Sequence, residues 1–257
     1  MRGFEILSSP RGRLLAYLGP KGETMAHLSL AERGRRLAVI AGDLADHSRL
    51  SFLPPRLVWP EQIHGTAILE GEKAPIFPVR PKADGLFFQG SGKSGRLRFA
   101  DCAPLLLAGR NPFHWALGLH CGFKGIVSGI VERGLALLQS KGISLDDTLR
   151  CWIGPAIGPC CFDRNLDDPW TQKGLLLFKD YKQGPADGLV RFDLIGDLKA
   201  RLLDAGLSED KIFCLPHCTC CHPDLFYSYR GGDRQARMSL FFSDSGSPLL
   251  LENGENK

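Results

Sequence analysis

Two short, nearly all-apolar runs lie close together near the middle of the chain. They read "PLLLAG" (residues 104–109) and "HWALGLH" (residues 114–120), and each is bounded by polar residues. Strands that alternate apolar and polar residues have one wet face, whereas uninterrupted apolar strands are covered on both faces. We therefore predict two neighbouring strands inside a layered fold, with other elements packed on both sides of their sheet.

The rest of the chain alternates between strand and helix patterns without a linker, which predicts one mixed α/β domain. We assign this single domain to residues 1–257 and a disordered tail to residues 252–257. Predicted helices are "SLAERGRRLAVIAGDLA" (29–45), "GIVSGIVERGLALLQSKG" (125–142) and "DLIGDLKARLLDAG" (193–206). Further predicted strands lie in "PPRLVW", "ADGLFFQ", "RLRFA", "LRCWIG", "KIFCLP" and "MSLFF". Residues 163–190 carry no clear pattern.

Charge and hydropathy narrow the class of protein. The formal net charge of +4 among 257 residues permits an anionic substrate such as phosphate. No dense run of lysine and arginine with interleaved aromatics is present, so we do not expect a nucleic-acid partner. The N-terminal residues do not form a secretory signal, and no apolar run approaches the length of a bilayer span. We therefore expect a cytoplasmic protein with no membrane contact.

Three residues of metal-ligating types follow or end predicted strands. His64 lies in "EQIHG", Cys102 in "ADCAP" and His120 in "LHCGFKG". Zinc binds imidazole nitrogen and thiolate sulfur, and a catalytic zinc has three protein ligands and one open position. The three residues are too far apart in sequence for their spacing to identify a site. The alternative is a core thiol and two histidines that bond to backbone at strand ends.

The chain has nine cysteines, an odd and high number for a protein with no secretory signal. Several are adjacent, and in a reducing compartment such cysteines are packing residues, metal ligands or nucleophiles. His217, Cys218, Cys220, Cys221 and His222 form one dense cluster. Adjacent side chains on an extended segment point in opposite directions, so two or three of these could reach one ion.

Several catalytic motifs are missing from the sequence. "GPCCF" does not match the P-C-x-x-C of zinc deaminases, and no histidine opens their H-x-E motif. No G-x-S-x-G nucleophile elbow, phosphate-binding Walker loop or dinucleotide fingerprint occurs either. We interpret "GSGKSG" as a hairpin loop between two strands.

Six motifs, in order, resemble the YfiH-type family, which has a laccase domain and was formerly called polyphenol oxidase. The resemblance spans roughly residues 56 to 242. The motifs are "EQIHG", "KADGLFF", "FADCAPLLLAG", "LHCGFKGIVSGIV", "IGPAIGPCCFD" and "CTCCHPDLFYSYRGGDRQARMSLFF".

The resemblance implies a fold, a metal site and an activity. The fold is a layered α/β/β/α sandwich with mixed β-sheets. The metal ligands fall on His64, Cys102 and His120, with zinc as the expected ion and copper as the alternative. The family is that of purine nucleoside phosphorylases, which cleave adenosine, inosine and methylthioadenosine with phosphate and also deaminate adenosine. Purine nucleosides and phosphate are thus the expected partners, and the protein is expected to be a monomer or a weak homo-oligomer.

Further site residues are predicted next to these motifs. Lys124 and Arg230 are the basic groups predicted to hold phosphate, and Gln62 is predicted to bind the base. Asp101 is predicted as a catalytic acid or base, or as the acceptor that orients a ligating histidine. Alternatively, Gln62 and Asp101 are bonded to loop backbone, and Arg230 stacks on a tyrosine at the surface.

The chain departs from the family pattern at two places. Lys124 replaces a common arginine, which retains the positive charge but not the planar fork. The stretch "AHLSLAERGRRL" also differs from its counterpart, so its contribution to the substrate pocket is open.

Three other functions compete with the phosphorylase. One is a copper-dependent polyphenol oxidase, for which seven histidines without a paired H-x-H motif are few. A second is a cysteine hydrolase with Cys102 as nucleophile and His120 as base. A third is a non-catalytic metal-binding protein.

Overall fold

The computed structural model describes residues 4–8, 14–18 and 56–243. The strands are β1 Phe4–Ser8, β2 Leu14–Leu18, β3 Leu57–Val58, β4 Ile68–Glu70, β5 Gly85–Gln89, β6 Ser94–Phe99, β7 Ala103–Gly109, β8 Trp115–Cys121, β9 Thr148–Ile153, β10 Asp163–Asn165, β11 Tyr181–Gln183, β12 Leu189–Phe192, β13 Ile212–Cys214 and β14 Met238–Ser243. The helices are α1 Phe123–Val127, α2 Ile130–Ser140, α3 Pro169–Leu177 and α4 Leu194–Asp204.

A mixed six-stranded sheet forms the centre of the fold, in the order β13-β9-β7-β8-β5-β4. The two predicted apolar strands, β7 and β8, are antiparallel neighbours in its middle, and every one of their residues is buried. Leu105 and Leu107 pack into the core on the helix side, while Leu106 and Ala108 pack into a second core on the other side. The prediction of strands covered on both faces is confirmed.

The second core lies between the central sheet and a mixed five-stranded sheet, in the order β1-β2-β14-β6-β3. Phe88 of β5 meets Phe242 of β14 edge to face, with ring centroids 5.5 Å apart. A Cβ atom at Gly118 of β8 would lie 2.3 Å from the Phe242 ring. The two sheets therefore pack closely where the central strand has no side chain.

Helices cover the other face of the central sheet. Buried residues of α1, α2 and α4 share one core with β7 and β8. The predicted helix at 125–142 is two helices, because Gly129 adopts a left-handed conformation with φ 89° and interrupts the hydrogen-bond ladder. Gly142, with φ 71°, follows the C-cap residue Lys141 of the second helix, where glycine is common. The mixed α/β fold class is confirmed.

Two other details differ from the predictions or lie outside them. "GSGKSG" is not a hairpin loop, because β5 belongs to the central sheet and β6 to the five-stranded sheet, so the segment crosses between layers. Residues 163–190 form a small sheet, in the order β10-β12-β11, together with α3. The helix predicted at 29–45 and the tail 252–257 lie outside the described residues. Of the helices described, none has the length and apolarity needed to cross a membrane.

Candidate metal centre and active-site cavity

The three predicted ligands converge from three separate segments. His64 lies in the loop between β3 and β4, Cys102 in the turn between β6 and β7, and His120 near the end of β8. One ligand atom from each residue lies within 4.8 Å of the corresponding atoms of the other two. The structure thus brings together side chains separated by up to 56 positions in the sequence.

The backbone at this site is held in an uncommon conformation. His64 has φ 61° and Asp101, which precedes Cys102, has φ 86°. Residues other than glycine seldom adopt positive φ, and such conformations cluster at functional sites, where surrounding contacts hold them.

A fully buried carboxylate, that of Asp84, supplies those contacts on the histidine side. Its two oxygens accept backbone N–H bonds from Ile63, His64 and Gly65 at 3.1, 2.9 and 2.7 Å. Its Oδ1 also lies 2.8 Å from Nδ1 of His120. One side chain therefore positions two of the three ligands, and Nε2 of His120 remains to face Cys102.

Sequence reasoning missed the role of Asp84. The residue stands in "KADGLFF", directly before a buried strand, and a carboxylate at such a position requires partners when buried. The sequence analysis names Asp101 as an acceptor for a ligating histidine, but the carboxylate that contacts His120 is that of Asp84.

The charges at this site favour a thiolate. Burial would raise the pKa of Cys102, but the charge of His120 and hydrogen bonds to His120 and His64 outweigh it and lower the pKa to about 6. Burial would lower the pKa of His120, but Cys102 and Asp84 raise it to about 9. Thiolate and imidazolium stabilise each other, and a bound cation would take over the stabilisation of the thiolate from the imidazolium.

The donor set and its packing fit a metal ion. Two imidazole nitrogens and one thiolate sulfur are zinc or copper ligands, and a set of three leaves a position for substrate. Gly122 has no room for a side chain, because a Cβ atom there would lie 2.8 Å from both the Cys102 sulfur and the His64 ring. The surrounding backbone therefore approaches the ligands closely.

The ligands open onto a cavity of about 610 Å³, a size typical of small-molecule sites. Its lining is strongly basic, with six cationic side chains against two carboxylates, those of Glu61 and Asp101. The cationic residues are Arg80, Arg98, Lys124, Arg164, Arg230 and Arg237. This arrangement favours an anionic ligand.

Lys124 and Arg230 lie in the cavity wall, where they were predicted to meet the substrate. Lys124 is exposed on α1, with Nζ 5.6 Å from the centroid of the Trp170 ring. The Arg230 guanidinium donates to the Asp163 carbonyl at 3.0 Å and lies 5.5 Å from the Phe162 centroid. Arg164 reaches the same ring at 5.8 Å and was missed by sequence reasoning.

Asp101 and Gln62 also line the cavity, but their polar atoms are bonded to the protein. The Asp101 carboxylate accepts from Thr219 Oγ1 and from the Arg230 backbone N–H, both at 2.7 Å. The Gln62 amide exchanges two hydrogen bonds with the Arg98 backbone, at 2.9 and 2.8 Å. Gln62 is therefore bonded to backbone and also lines the cavity, and Asp101 links two segments of the wall.

A second group of ligand atoms lies beside this cavity. Cys218 and Cys221 of the predicted cysteine cluster meet Cys160 and Cys161, and the four sulfurs lie within 4.8 Å of one another. His217 and His222 instead pack ring against ring, with centroids 5.2 Å apart. Cys121 is fully buried in the core on the helix side.

Fold and site together define a layered α/β protein with a metal-ligand group of two histidines and one cysteine at the base of a basic cavity. The family described as multi-copper polyphenol oxidoreductase laccase matches residues 29–242. The chain belongs to this family.

Curated relatives and solved structures agree with this assignment. The purine nucleoside phosphorylase YlmD of Geobacillus stearothermophilus is 30% identical, over 70% of this chain and 69% of the relative. The purine nucleoside phosphorylase YfiH of Shigella flexneri is 28% identical, over 74% of each chain. The crystal structure of YlmD from Geobacillus stearothermophilus superposes with a TM-score of 0.69 and 26% identity, covering 93% of this chain and 98% of that one.

Proposed function

We propose that this protein is a purine nucleoside phosphorylase that uses zinc and also deaminates adenosine. Relatives named purine nucleoside phosphorylases support an enzyme of this class. The main observation behind the proposal is that His64, Cys102 and His120 line a basic cavity that is large enough for a nucleoside. Adenosine, inosine and methylthioadenosine are the proposed nucleosides.

The basic wall is suited to hold phosphate, the nucleophile of the reaction. Arg164 and Arg230 both lie against the Phe162 ring, and the charge of Arg230 contributes to lowering the pKa of Arg164 after burial, the larger cause. The Asp168 carboxylate, 2.9 Å from the Arg164 guanidinium, acts in the opposite direction, and an anion between the two arginines would add to that compensation. Lys124 adds a third charge, as a mobile point donor.

The aromatic residues of the wall are suited to hold the purine. Phe162 and Tyr229 line the cavity beside the arginines, and aromatic faces stack on nucleobases. As the glycosidic bond breaks, negative charge develops on the leaving purine. The surplus of cationic side chains stabilises that charge.

His64, Cys102 and His120 would hold the zinc ion. When bound, zinc supplies Lewis-acid chemistry, which polarises a substrate atom or acidifies water for hydrolytic deamination. Asp84 keeps the proton of His120 on Nδ1, so that Nε2 has a free lone pair with which to bind the metal. Asp101 connects the Cys102 turn to the Arg230 segment, so we assign it a positioning role rather than proton transfer.

Copper is the alternative ion, because blue-copper sites also use two histidines and one cysteine, with a long axial methionine. No methionine lines the cavity formed by the described residues. Multicopper oxidation also requires further histidine-rich sites. Within the described part of the chain, one group of ligating side chains contains histidine, and it has two.

One observation favours a second function, that of a cysteine hydrolase. Cys102, His120 and Asp84 form a chain in which the thiol contacts the imidazole and the imidazole contacts the carboxylate at 2.8 Å. This is the order of groups in a nucleophile–base–acid triad. A bound metal would occupy the thiolate, so the two functions exclude each other at this residue.

A single assay separates these functions. Purified protein of known metal content is incubated with adenosine, with and without phosphate, and adenine is resolved from inosine. Adenine formed only with phosphate indicates phosphorolysis, and inosine in either case indicates deamination. No turnover by zinc-replete protein would contradict the proposal, while ester hydrolysis by metal-free protein would favour the cysteine hydrolase.

A further inference from the structure

Four cysteine side chains meet beside the active-site cavity, outside the ligand group described above. Cys160 and Cys161 lie in the loop after β9, and Cys218 and Cys221 lie in the loop after β13. Sγ of Cys221 is 3.5 Å from Sγ of Cys160 and 3.4 Å from Sγ of Cys161. All four sulfurs lie within 4.8 Å of one another.

Sheet topology explains why the two loops meet. β9 and β13 are parallel neighbours, with Cys151 beside Ile212 and Ile153 beside Cys214. Parallel neighbours end at the same edge of a sheet, so the loops that follow them leave side by side. An isolated parallel bridge between Ala156 and Cys218 continues the pairing into the loops.

The backbone of both loops places the sulfurs at turns. The Cys161 N–H donates to the Gly158 carbonyl at 3.0 Å, and the His222 N–H donates to the Cys218 carbonyl at 3.2 Å.

The sulfur separations discriminate between three possible uses of the cluster. A tetrahedral zinc site with Zn–S bonds of about 2.3 Å has its sulfurs about 3.8 Å apart. An iron–sulfur cluster binds each cysteine to a different iron and needs wider spacing. A disulfide would bring two sulfurs to about 2.05 Å and leave the other two without a role. The observed spacing fits one mononuclear ion.

One half of the group also has the sequence spacing of a metal site. Cys218 and Cys221 form a C-x2-C pair, a common half of a structural zinc site. The second half is the adjacent pair Cys160–Cys161, which sequence spacing could not connect to the first because the pairs are about 60 residues apart.

We propose that Cys160, Cys161, Cys218 and Cys221 bind a zinc ion. They form a structural metal site that is separate from the His64–Cys102–His120 group. The ion joins two loops that build one wall of the cavity. Ile157 of the first loop donates its N–H to the Asp101 carbonyl at 2.9 Å, and Thr219 of the second donates to the Asp101 carboxylate at 2.7 Å. The proposed ion therefore holds the segments that position Asp101 and, through it, Arg230.

Metal content of variants tests the site independently of activity. The Cys102→Ala background removes the cavity ligand group, so the count there reports on the four cysteines alone. We expect one zinc per chain in full-length Cys102→Ala and none in Cys102→Ala/Cys221→Ser, measured by elemental analysis after gel filtration. Cys220→Ser in the same background is the matched control, because Cys220 lies in the same loop outside the group, and it should retain the zinc.

Cobalt provides a second measurement that does not depend on folding of the Cys221 variant. Addition of Co²⁺ to reduced Cys102→Ala protein should give the intense visible bands and thiolate charge transfer of a tetrahedral four-sulfur site. The proposal is overturned if that spectrum is absent, if Cys221→Ser retains zinc, or if Cys220→Ser loses it. A mass lower by two hydrogens in protein purified without reductant, with no zinc bound, would assign a disulfide instead.

Discussion

The two ligand groups of this molecule differ in donor type, in openness and in the way the chain assembles them. His64, Cys102 and His120 come from three segments, mix nitrogen with sulfur and open onto a cavity of about 610 Å³. The four-cysteine group comes from two loops and offers four sulfurs. Three ligands beside a cavity leave a position for substrate, whereas four ligands close the coordination shell. Number and placement of donors thus distinguish the proposed catalytic site from the proposed structural one.

The two groups also differ in the contacts that position their ligands. Asp84 positions two ligands of the cavity group through four hydrogen bonds. The four-cysteine group is positioned by strand pairing and loop turns instead. The two groups adjoin each other at Asp101, which precedes Cys102 and is bonded to Ile157 and Thr219 of the cysteine-bearing loops. The following variants therefore change Cys102, Asp84 or Lys124 and leave these contacts in place.

The largest expected effect follows from Cys102→Ala. Loss of the thiolate should remove the cavity metal and lower phosphorolysis by about a thousandfold or more, because several kcal/mol of charge stabilisation is lost. Elemental analysis and the adenosine assay measure both effects. Cys214→Ala, a change of a half-buried thiol outside both groups, is the control. Unchanged activity in metal-free Cys102→Ala would rule out the metal mechanism.

The second-largest expected difference between the two groups is the pH at which their thiols react with an alkylating reagent. In metal-free protein, the pKa of Cys102 is about 6, so this residue is a thiolate above that pH and becomes a thiol as pH falls through it. Burial and hydrogen bonds to Cys218 and Cys221 raise the pKa of Cys160 to about 11. Iodoacetamide labelling followed by peptide mass spectrometry should therefore show Cys102 labelled half-maximally near pH 6, with Cys160 labelled only in strongly alkaline solution.

Zinc is the control for this labelling experiment. Its addition should protect Cys102, since a bound thiolate is a poor nucleophile. A labelling midpoint for Cys102 near the ordinary thiol value of 9.0 would contradict the described pairing with His120.

Asp84→Asn should weaken metal binding at the cavity by about 10- to 100-fold, because the ligand-orienting carboxylate is lost. The amide NH₂ would also face backbone N–H donors that now meet an oxygen. Competition with a chromophoric chelator measures the zinc affinity. The zinc of the four-cysteine group is the internal control, and equal weakening at both groups would indicate general unfolding instead of a local effect.

The smallest effect is expected at Lys124, which is exposed and so contributes a screened charge. Lys124→Ala should raise the KM for phosphate about fivefold and leave kcat and metal content unchanged. Lys173→Ala is the matched control, because its Nζ lies 4.9 Å from the centroid of the same Trp170 ring but the residue is not among those that line the cavity. Equal effects of the two substitutions would point to Trp170 packing instead.

Much of the fold could be predicted from local pattern. The continuous apolar runs of β7 and β8 required cover on both faces, and the structure has a core on each side. The local pattern gave a wrong prediction for "GSGKSG", which connects two layers. A Gly-rich loop has the same composition whether it connects two strands of one sheet or strands of two different sheets. The pattern failed again at Ser128–Gly129, where the apolar periodicity continues across a break in the helix.

The candidate sites divide in the same way. Residue types and motif order predicted His64, Cys102 and His120 as ligands, and the structure places them together. The roles of Gln62 and Asp101 depended on contacts with Arg98, Thr219 and Arg230 that no spacing reveals. Asp84 carries no chemical signature in the sequence beyond being a carboxylate before a buried strand.

The sequence by itself determined the apolar central strands, their two covered faces and the donor chemistry available to a metal, because these depend on residue type and on neighbours along the chain. Only the tertiary structure decided which donors share a site. The parallel pairing of β9 with β13 brings Cys160 and Cys161 to Cys218 and Cys221, and the buried carboxylate of Asp84 joins His64 to His120. Contacts of this kind arise from sheet order and burial, which are properties of the whole fold.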